Sequence, residues 1–383
     1  MRIAIVTESF LPTVNGVTNS VLRILEHLSK EGHVATVIAP ENSQGANDYQ
    51  GHVITRVPAV PLQSISRVGL PLGIPSRKLE TAISRFQPDL VHLASPFLLG
   101  GAAARIARKM DIPCLSVYQT DLAGFAKHYG FSAAQSGLQK LIGKIHRTSD
   151  RTLAPSYSAI SELHDVGVTN TQLWRRGVNT SLFTPISRDL DLRQKWFSHS
   201  AGVAKILVGY VGRIANEKRL VDLKVLDQNP EYQLIITGDG PARSRVEREL
   251  PNAIFTGYQS GTDLAKIYAS LDIFVHPGPH ETFCQSVQEA LASGVPCIVP
   301  KTGGPAELVI NGETGFIIDT SNPESLLNTL VRFAARNDRN EMSKSARESV
   351  SQRTWTNIIS ELMGHYSELI ENSPTKKIGV KSA

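Results

Sequence analysis

The sequence predicts an α/β fold made of two doubly wound domains, each a parallel sheet with helices on both faces. Three observations support this prediction. The chain has 383 residues, which at about 150 residues per domain suggests two domains. Short, continuously apolar runs alternate with amphipathic helical stretches, as expected for parallel sheets that are buried on both faces. This alternation stops in a turn-rich stretch at 174–191 and begins again at Lys205.

The first half of the chain supplies the elements of the first predicted sheet. Residues 2–7 form an apolar run typical of a buried strand, and a turn containing Pro12 and Gly16 follows it. Apolar residues then recur at helical spacing over 17–28, and this helix should end near Gly32. Later strands are expected at 34–39, 53–57, 90–93 and 114–118, and later helices at 79–86 and 102–110.

The second half repeats the pattern and ends in a helix. Strands are expected at 206–211, 234–237, 273–276, 295–299 and 315–318. We therefore place two Rossmann-like domains at 1–180 and 181–352, a C-terminal helix that packs back on the first domain at 353–372, and a polar, basic tail at 373–383. Two such domains are expected to face a cleft at the carboxyl ends of both sheets, where doubly wound sheets bind ligands.

Composition excludes several classes of protein. Lys and Arg total 40 against 35 Asp and Glu, a net charge of +5, and no basic stretch is interleaved with aromatic residues, so nucleic acid is not an expected partner. Cys114, Cys284 and Cys297 are too far apart to indicate a disulfide framework or a zinc site. The first residues lack the long apolar core of a secretory signal, and no apolar run approaches the roughly 18 residues of a membrane span. We expect a cytoplasmic protein.

The most informative segment for function lies between His276 and Pro305. A strand is expected to end at His276, and a helix to begin near Phe283 after a loop with Pro and Gly. The first backbone N–H groups of such a helix suit a phosphate or a sugar oxygen. Glu281 precedes the helix and Glu289 lies on it, and a carboxylate can accept two hydrogen bonds from paired sugar hydroxyls. The alternative is that both are ordinary acids favoured by the helix dipole.

Two basic residues follow the first strand of the second domain. Arg213 and Lys218 are expected at the carboxyl end of that strand, where they can neutralise a diphosphate without a metal ion. The alternative is a solvated surface loop. Gly16 at a helix start permits close approach of a ligand, although a turn glycine without a ligand is commoner. The histidines show no metal-ligand spacing on a helix, and we expect no metal site.

Four motifs resemble the retaining glycosyltransferases of family four, which have the GT-B architecture. These are VGRIANEKRL, GDGP, HETFCQSVQEALASGVPCIVPKTGGPAELV and WRRGVNTSLFTP, and the resemblance runs from Met1 to about Leu369. The segments TESFLPTVNGVTNSV and VYQTDLAGFAKHYG are most similar to the actinobacterial GDP-mannose-dependent α-mannosyltransferases that build membrane glycolipids. Sulfolipid synthases are more distant.

The resemblance implies an acceptor-binding first domain and a nucleotide-sugar-binding second domain. In the second domain, Arg213 and Lys218 would hold the donor diphosphate, Glu281 would contact the donor sugar and Glu289 the ribose. Backbone groups would bind sugar and phosphate oxygens at Phe283, Cys284 and Gln285, and Gly16 would let the loop of the first domain approach the donor.

Two positions depart from the family pattern. The family usually has Gly where Cys284 stands and often His where Gln119 stands. The first departure is tolerable if only the backbone binds the donor. The second leaves Gln119 or Asp121 to orient the acceptor.

The resemblance implies transfer of a hexose, mannose from GDP-mannose, with retention of configuration onto a lipid-linked or polar glycan acceptor. The leaving diphosphate would accept the proton, so neither a protein nucleophile nor a cofactor would be needed. The alternatives are a UDP-sugar-dependent glycolipid synthase of the same family, a sugar-nucleotide epimerase or phosphorylase, and a non-catalytic carbohydrate-binding or nucleotide-binding protein.

A lipid-linked acceptor implies peripheral contact with the inner face of the plasma membrane. The expected contacts are the basic residues Arg77, Lys78, Lys127, Lys140, Lys144 and Arg147. The segment 125–145 mixes cations with apolar residues, as an interfacial helix would. The alternative is an ordinary surface helix whose apolar side faces the core.

Overall fold

The computed structural model describes residues 1–13, 15–42, 45–61, 71–94, 96–119, 135–200 and 203–373. The chain forms two compact units, the first from Met1–Arg176 and Thr356–Ala383 and the second from Gly177–Trp355. The sequence placed this division after residue 180 and the start of the C-terminal helix at 353, a few residues from the divisions found here.

The first unit contains an eight-stranded sheet and a separate two-stranded ribbon. Its strands are β1 (Arg2–Thr7), β2 (Val34–Pro40), β3 (Asp48–Tyr49), β4 (His52–Val57), β5 (Ala59–Pro61), β6 (Pro71–Gly73), β7 (Leu90–Ala94), β8 (Cys114–Val117), β9 (Arg151–Ala154) and β10 (Thr171–Leu173). The sheet order is β10-β9-β8-β7-β1-β2-β4-β3. All neighbours pair in parallel except β3 with β4, and β5 pairs with β6 in an antiparallel ribbon.

The described helices of this unit before the C-terminal segment are α1 (Gly16–Lys30), α2 (Arg77–Phe86), α3 (Leu98–Lys109), α4 (Gln135–Thr148) and α5 (Tyr157–Asp165). The start of α1 has a local cause, because the side chain of Asn15 accepts a hydrogen bond from the backbone N–H of Thr18 at 3.0 Å. One face of α1 then carries Val21, Ile24 and Leu28, all fully buried. The expected strand–helix alternation of the first half is confirmed.

The second unit contains a six-stranded parallel sheet. Its strands are β11 (Ile206–Val211), β12 (Tyr232–Thr237), β13 (Ile254–Gly257), β14 (Ile273–Val275), β15 (Cys297–Pro300) and β16 (Gly315–Ile318), in the order β13-β12-β11-β14-β15-β16. Its helices are α6 (Leu190–His199), α7 (Lys224–Asp227), α8 (Arg243–Glu249), α9 (Gly261–Ser270), α10 (Gln285–Ala292), α11 (Pro323–Ala334) and α12 (Arg339–Ser349). Successive residues of β11, Leu207 and Val208, pack into different apolar clusters, because side chains alternate between the faces of a strand.

The last helix, α13 (Trp355–Glu371), packs in the first unit from Thr356 onward. The indole N–H of Trp174 donates a hydrogen bond to the backbone oxygen of Ile358 at 2.8 Å. Farther along, the Tyr366 hydroxyl lies 2.6 Å from Nδ1 of the fully buried His92. The helix therefore adds polar contacts to this unit as well as buried apolar side chains such as Leu362.

The structure changes the interpretation of two segments. The expected linker at 174–191 contains a short 3-10 helix, Pro185–Ser187, and its last residues begin α6. In α4, Ile142 and Ile145 are buried and Ile142 packs in an apolar cluster with Leu163. The described part of the proposed interfacial segment is therefore an ordinary surface helix with its apolar side in the core, and residues 125–134 lie outside the described residues. Within the described chain, no helix combines the length and apolarity needed to span a bilayer.

Candidate active site

The loop between β14 and α10 shapes the candidate site of the second unit. Helix α10 begins at Gln285, two residues later than the expected start near Phe283. The reason is Cys284, whose φ of 78° and ψ of 81° place it in the left-handed region, where a residue cannot continue a right-handed helix. Phe283 and Cys284 are thus loop residues, and the N–H groups of the first turn begin with Gln285. A non-glycine residue in this conformation indicates local strain of the kind found at functional sites.

A close backbone contact holds this loop in place. The backbone N–H of Gly304 donates a hydrogen bond to the backbone oxygen of Glu281 at 2.8 Å. A Cβ atom at Gly304 would lie 2.5 Å from both Cα of Phe283 and the backbone oxygen of Thr282. Only glycine allows the segment after β15 to approach so closely. This contact explains why position 304 is a glycine.

An ion pair between Lys218 and Glu281 crosses the site. Lys218 ends the short 3-10 helix Asn216–Lys218 that follows β11, and its ammonium donates a hydrogen bond to Oε1 of Glu281. The side chains are only 18% and 23% exposed. Burial lowers the pKa of Lys218, but the attraction of Glu281 outweighs this effect and leaves that pKa above its ordinary value. Lys218 therefore carries its positive charge at neutral pH.

Arg213 lies earlier in the same loop. Its Nη2 lies 3.0 Å from Oε1 of Glu217, and its side chain is 39% exposed. The hydroxyl of the buried Tyr210 donates a hydrogen bond to the backbone oxygen of Arg213 at 3.0 Å. This bond fixes the backbone at Arg213 and so the position from which its side chain extends. Both residues lie in the loop after the first strand of this unit, where the sequence placed them. Their carboxylate partners, Glu217 and Glu281, were not predicted.

Glu289 is held by a tyrosine from a neighbouring helix. The hydroxyl of Tyr268, on α9, donates a hydrogen bond to Oε2 of Glu289 at 3.0 Å. Tyr268 is fully buried, and burial together with the negative charge of Glu289 raises its pKa well above the usual value. The hydroxyl consequently stays protonated and remains a donor to the carboxylate.

Two buried side chains accompany Glu281. His276 is 2% exposed and stacks on the ring of Tyr210, and its Nε2 lies 3.7 Å from Oε1 of Glu281. Burial lowers the pKa of His276 to about 4, against the opposing effect of Glu281, so the imidazole is neutral. Burial also raises the pKa of the Cys284 thiol to about 12. The ligand atoms of His276, Glu281 and Cys284 all lie within 4.8 Å of one another.

In the first unit, the structure places Gly16 at the start of α1 beneath an arginine. The guanidinium of Arg176 donates hydrogen bonds to the backbone oxygen of Gly16 and, at 2.7 Å, to the Ser20 hydroxyl. A Cβ atom at Gly16 would lie 2.9 Å from Nη1 of Arg176. The Arg176 guanidinium is the end of a flexible side chain and could shift, so this contact does not by itself require a glycine. Gln119 lies two residues beyond β8, and Asp121 lies outside the described residues.

Glu8, directly after β1, was not among the predicted site residues. Its Oε1 accepts hydrogen bonds from the backbone N–H groups of Phe97 at 2.9 Å and Gly100 at 3.1 Å, at the start of α3. Its buried Oε2 has no hydrogen-bond partner in the described part of the chain. Burial raises the pKa of Glu8 to about 7, although those N–H groups act in the opposite direction.

The sequence analysis missed three residues: Glu8, His276 and Tyr268. The first two carried a signal in the sequence and Tyr268 did not. Glu8 and His276 each directly follow a buried strand, at the end where doubly wound sheets place functional groups. Tyr268 fits the apolar pattern of α9 and is not distinguished from its other buried residues by sequence. Its role depends on a contact with Glu289 of α10. The second unit thus brings Lys218 and Glu281 together, with Arg213 in the same loop as Lys218.

Two family models match the chain, one in each half. The model for Glycosyltransferase Family 4 matches residues 14–182 and that for Glycosyl transferases group 1 matches residues 193–349. A GDP-mannose-dependent alpha-mannosyltransferase from Corynebacterium glutamicum is 44% identical over 378 residues, covering 97% of this chain and 89% of that relative. The chain belongs to the family-four glycosyltransferases. The family membership expected from the motifs is confirmed.

More distant proteins agree with this assignment. A sulfoquinovosyl transferase from Arabidopsis thaliana is 31% identical to this glycosyltransferase over 365 residues, covering 92% of this chain and 71% of that relative. Among solved structures, sucrose-phosphate synthase from Thermosynechococcus elongatus matches with a TM-score of 0.78 at 21% identity, covering 97% of this chain and 100% of that one. The similarity to solved glycosyltransferases confirms the GT-B fold.

Proposed function

We propose that this glycosyltransferase transfers mannose from GDP-mannose, with retention of configuration, to a lipid-linked acceptor. The observation that carries the proposal is the 44% identity, across nearly the whole chain, to a GDP-mannose-dependent alpha-mannosyltransferase. The Lys218–Glu281 contact and the Tyr268–Glu289 hydrogen bond support it, because they offer a cation for a diphosphate and acceptors for sugar hydroxyls.

Arg213 and Lys218 bind the donor diphosphate in this proposal. Lys218 carries a full charge in a mostly buried position, where a charge interacts more strongly than in water. Arg213 supplies two parallel donors to phosphate oxygens. Charge develops on the diphosphate as it leaves, and a positioned donor of this kind contributes about 3 kcal/mol to the transition state. These two cations are the main source of catalysis.

Glu281 and Glu289 bind hydroxyl groups of the donor. Glu281, paired with Lys218, contacts the donor sugar next to the diphosphate, and Glu289 contacts the ribose. A carboxylate whose orientation is fixed accepts two hydroxyl hydrogen bonds with little loss of entropy. The hydrogen bond from Tyr268 provides that fixed orientation for Glu289.

The reaction needs no covalent intermediate with the protein. The acceptor hydroxyl attacks the anomeric carbon from the face that the diphosphate leaves; one C–O bond forms, the other breaks, and the proton passes to a diphosphate oxygen. The nearby Cys284 thiol has a pKa of about 12, so it is protonated and a poor nucleophile at neutral pH. Since Arg213 and Lys218 supply the positive charge, we propose that transfer needs no metal ion and continues in excess EDTA.

The donor base can be tested by thermal unfolding with GDP, UDP and ADP at equal concentrations. A ligand that binds only the folded state at 100 times its Kd stabilises that state by about 2.7 kcal/mol. We expect GDP and GDP-mannose to raise the unfolding temperature more than the other nucleotides. A larger rise with UDP or ADP would overturn the proposed donor.

We further propose that the enzyme works in the cytoplasm at the inner face of the plasma membrane, held by charge. Five cations expected at this surface are exposed in the first unit: Arg77, Lys78, Lys140, Lys144 and Arg147. The apolar side of α4 faces the core, so the attraction to anionic lipids is electrostatic rather than insertive. Such an attraction is screened within about 8 Å at physiological ionic strength.

Co-sedimentation with anionic vesicles tests this membrane contact. We expect binding at low salt that is lost as salt rises, and weaker binding by a Lys140→Gln, Lys144→Gln double variant. A matched control makes the same charge change at two exposed lysines of the second unit, Lys205 and Lys344, and should bind like the wild type. Equal loss in both double variants would contradict a defined contact surface.

A further inference from the structure

Three side chains of the loop before α10 form a cluster of possible metal ligands. His276, Glu281 and Cys284 offer an imidazole nitrogen, a carboxylate oxygen and a sulfur atom, all within 4.8 Å of one another. His276 and Cys284 are 2% and 5% exposed. Their spacing in sequence, His-x4-Glu-x2-Cys, is not that of ligands on one helix, which is why the sequence predicted no metal site.

The environment of His276 provides an independent observation. Neither ring nitrogen makes a hydrogen bond of normal geometry among the described residues, although the backbone of Gly278 is close enough to act on the pKa of the imidazole. A buried polar group without a good partner costs about 1–3 kcal/mol. An imidazole offers a metal ion the lone pair of one ring nitrogen, and both ring nitrogens of His276 are buried inside the cluster. A ligand that satisfies one of these nitrogens would recover part of that cost.

We propose that His276, Glu281 and Cys284 form an inhibitory binding site for a thiophilic divalent cation of the Zn²⁺ class. Such a cation favours sulfur, imidazole nitrogen and carboxylate oxygen at about 2.0–2.3 Å, in a tetrahedral arrangement whose fourth position water can occupy. Tetrahedral ligands are roughly 3.5 Å apart, so side-chain movements of about 1 Å suffice to close the site.

Binding requires two changes in the cluster and no redox step. The Cys284 thiol loses its proton to solvent as the sulfur–metal bond forms. The Lys218 ammonium leaves Oε1 of Glu281, because the cation takes that oxygen and repels the ammonium. The Cys284 sulfur lies 3.3 Å from the hydroxyl of Ser286, and this neutral group can remain beside the sulfur after the thiol loses its proton.

The consequence is competition between the cation and the donor. Glu281 cannot hold a metal ion and contact the donor sugar at the same time. This competition rests on the proposed function, whereas metal binding itself does not. We therefore expect Zn²⁺ to inhibit the enzyme and a chelator to restore activity, without any metal requirement for transfer.

Co²⁺ is the probe that reports directly on the sulfur ligand. Titration of the purified full-length protein with Co²⁺ should produce a thiolate-to-metal charge-transfer absorption band, which Zn²⁺ should then abolish. The Cys284→Ser variant should lose the band, and His276→Gln should bind Co²⁺ more weakly by about tenfold or more. The matched control is Cys114→Ser, which removes an equally buried thiol in the first unit and should keep the band.

The outcomes separate the metal site from the donor proposal. Thermal unfolding curves establish that each variant is folded before its titration is interpreted. No band in the wild type, or a band that persists in Cys284→Ser, would overturn the metal site. If the band appears and calorimetry detects no binding of GDP-mannose, the donor proposal fails while the metal site stands. If both ligands bind but GDP-mannose leaves the apparent Co²⁺ affinity unchanged, the inhibitory role is overturned.

Discussion

The hydroxyl of Tyr268 donates a hydrogen bond to Oε2 of Glu289 at 3.0 Å. This bond fixes the carboxylate of Glu289, a residue one turn after the start of α10. The tyrosine is fully buried between aromatic neighbours, with the ring of Phe183 centred 5.6 Å away. Its position is therefore set by the core of the second unit. Through this contact the core determines the orientation of a residue proposed to bind the ribose of the donor.

Replacing Tyr268 with Phe should weaken GDP binding without unfolding the protein. The variant loses one hydrogen bond to a charged group, worth about 1.5–3 kcal/mol at most in this setting, so we expect a fall in affinity of about tenfold by calorimetry. Tyr366→Phe is the matched control, because that hydroxyl is equally buried but bonded to His92 in the first unit. Equal GDP affinity in wild type and Tyr268→Phe would contradict the positioning role.

Arg213→Lys should lower turnover by about tenfold or more, since lysine keeps the charge but loses the bidentate grip on phosphate. Arg213→Ala and Lys218→Ala should each cost orders of magnitude. Arg219→Lys offers a close control: Arg219 lies in the same loop, is 40% exposed compared with 39% for Arg213, and also pairs with a carboxylate. Steady-state kinetics should give Arg219→Lys a turnover close to that of the wild type. An equal loss of turnover in Arg213→Lys and Arg219→Lys would contradict the diphosphate role of Arg213.

The two glutamates should separate nucleotide binding from sugar binding. Glu289→Gln should weaken the affinity for free GDP, because the ribose contact is lost. Glu281→Gln should not weaken the affinity for free GDP, because the change releases Lys218 from its ion pair and leaves the Lys218 charge for the diphosphate. This variant should instead slow the step that depends on the donor sugar. Calorimetry that finds the same loss of GDP affinity in both variants would refute this division.

Glu8 should make the stability of the protein depend on pH. Its pKa rises from 4.5 to about 7 in the folded state, so the folded protein binds this proton more tightly than the unfolded chain does. Stability should therefore fall as the pH rises through this interval and level off above it, by at most about 3 kcal/mol. Most of this loss of stability should occur between pH 4.5 and about pH 7, the pKa values of the unfolded and folded states.

Glu8→Gln tests this dependence because glutamine keeps an oxygen for the two N–H groups and cannot ionise. We expect the variant to be more stable than wild type at about pH 8, by roughly 1–3 kcal/mol, and the gain to shrink toward about pH 5. Glu80→Gln, which removes an exposed partner of Lys109 in the same unit, should show no such gain. A gain for Glu8→Gln that does not change with pH would contradict the pKa account.

The sequence predicted the buried strands well because burial on both faces leaves a continuous apolar run, as in Ile206–Val211. It missed six strands: β3, β5, β6, β9, β10 and β13. Of these, β10 and β13 lie at the edges of their sheets and are only partly buried, so they lack the continuous apolar run of a central strand. It placed the start of α10 two residues early, because the left-handed conformation of Cys284 was not recognised. The glycine that the family usually has at this position was the available signal.

The sequence indicated the residues of the candidate site, but it did not indicate which side chains pair with them. Residue types and strand ends indicated Arg213, Lys218, Glu281 and Glu289. The partners that hold them come from distant parts of the chain: Lys218 meets Glu281 across 63 residues and Tyr268 meets Glu289 across 21. No local pattern records such contacts, because they arise only when the sheet and its helices assemble.

Transfer of labelled mannose tests the proposed reaction most directly. The purified protein is incubated with GDP-mannose labelled in the sugar and with a membrane lipid extract as acceptor, and the label in the organic phase is quantified and its anomeric configuration determined. We expect label in a lipid product with the α configuration of the donor, and little from UDP-glucose. Label that stays entirely in the aqueous phase, or greater transfer from UDP-glucose than from GDP-mannose, would contradict the proposed function.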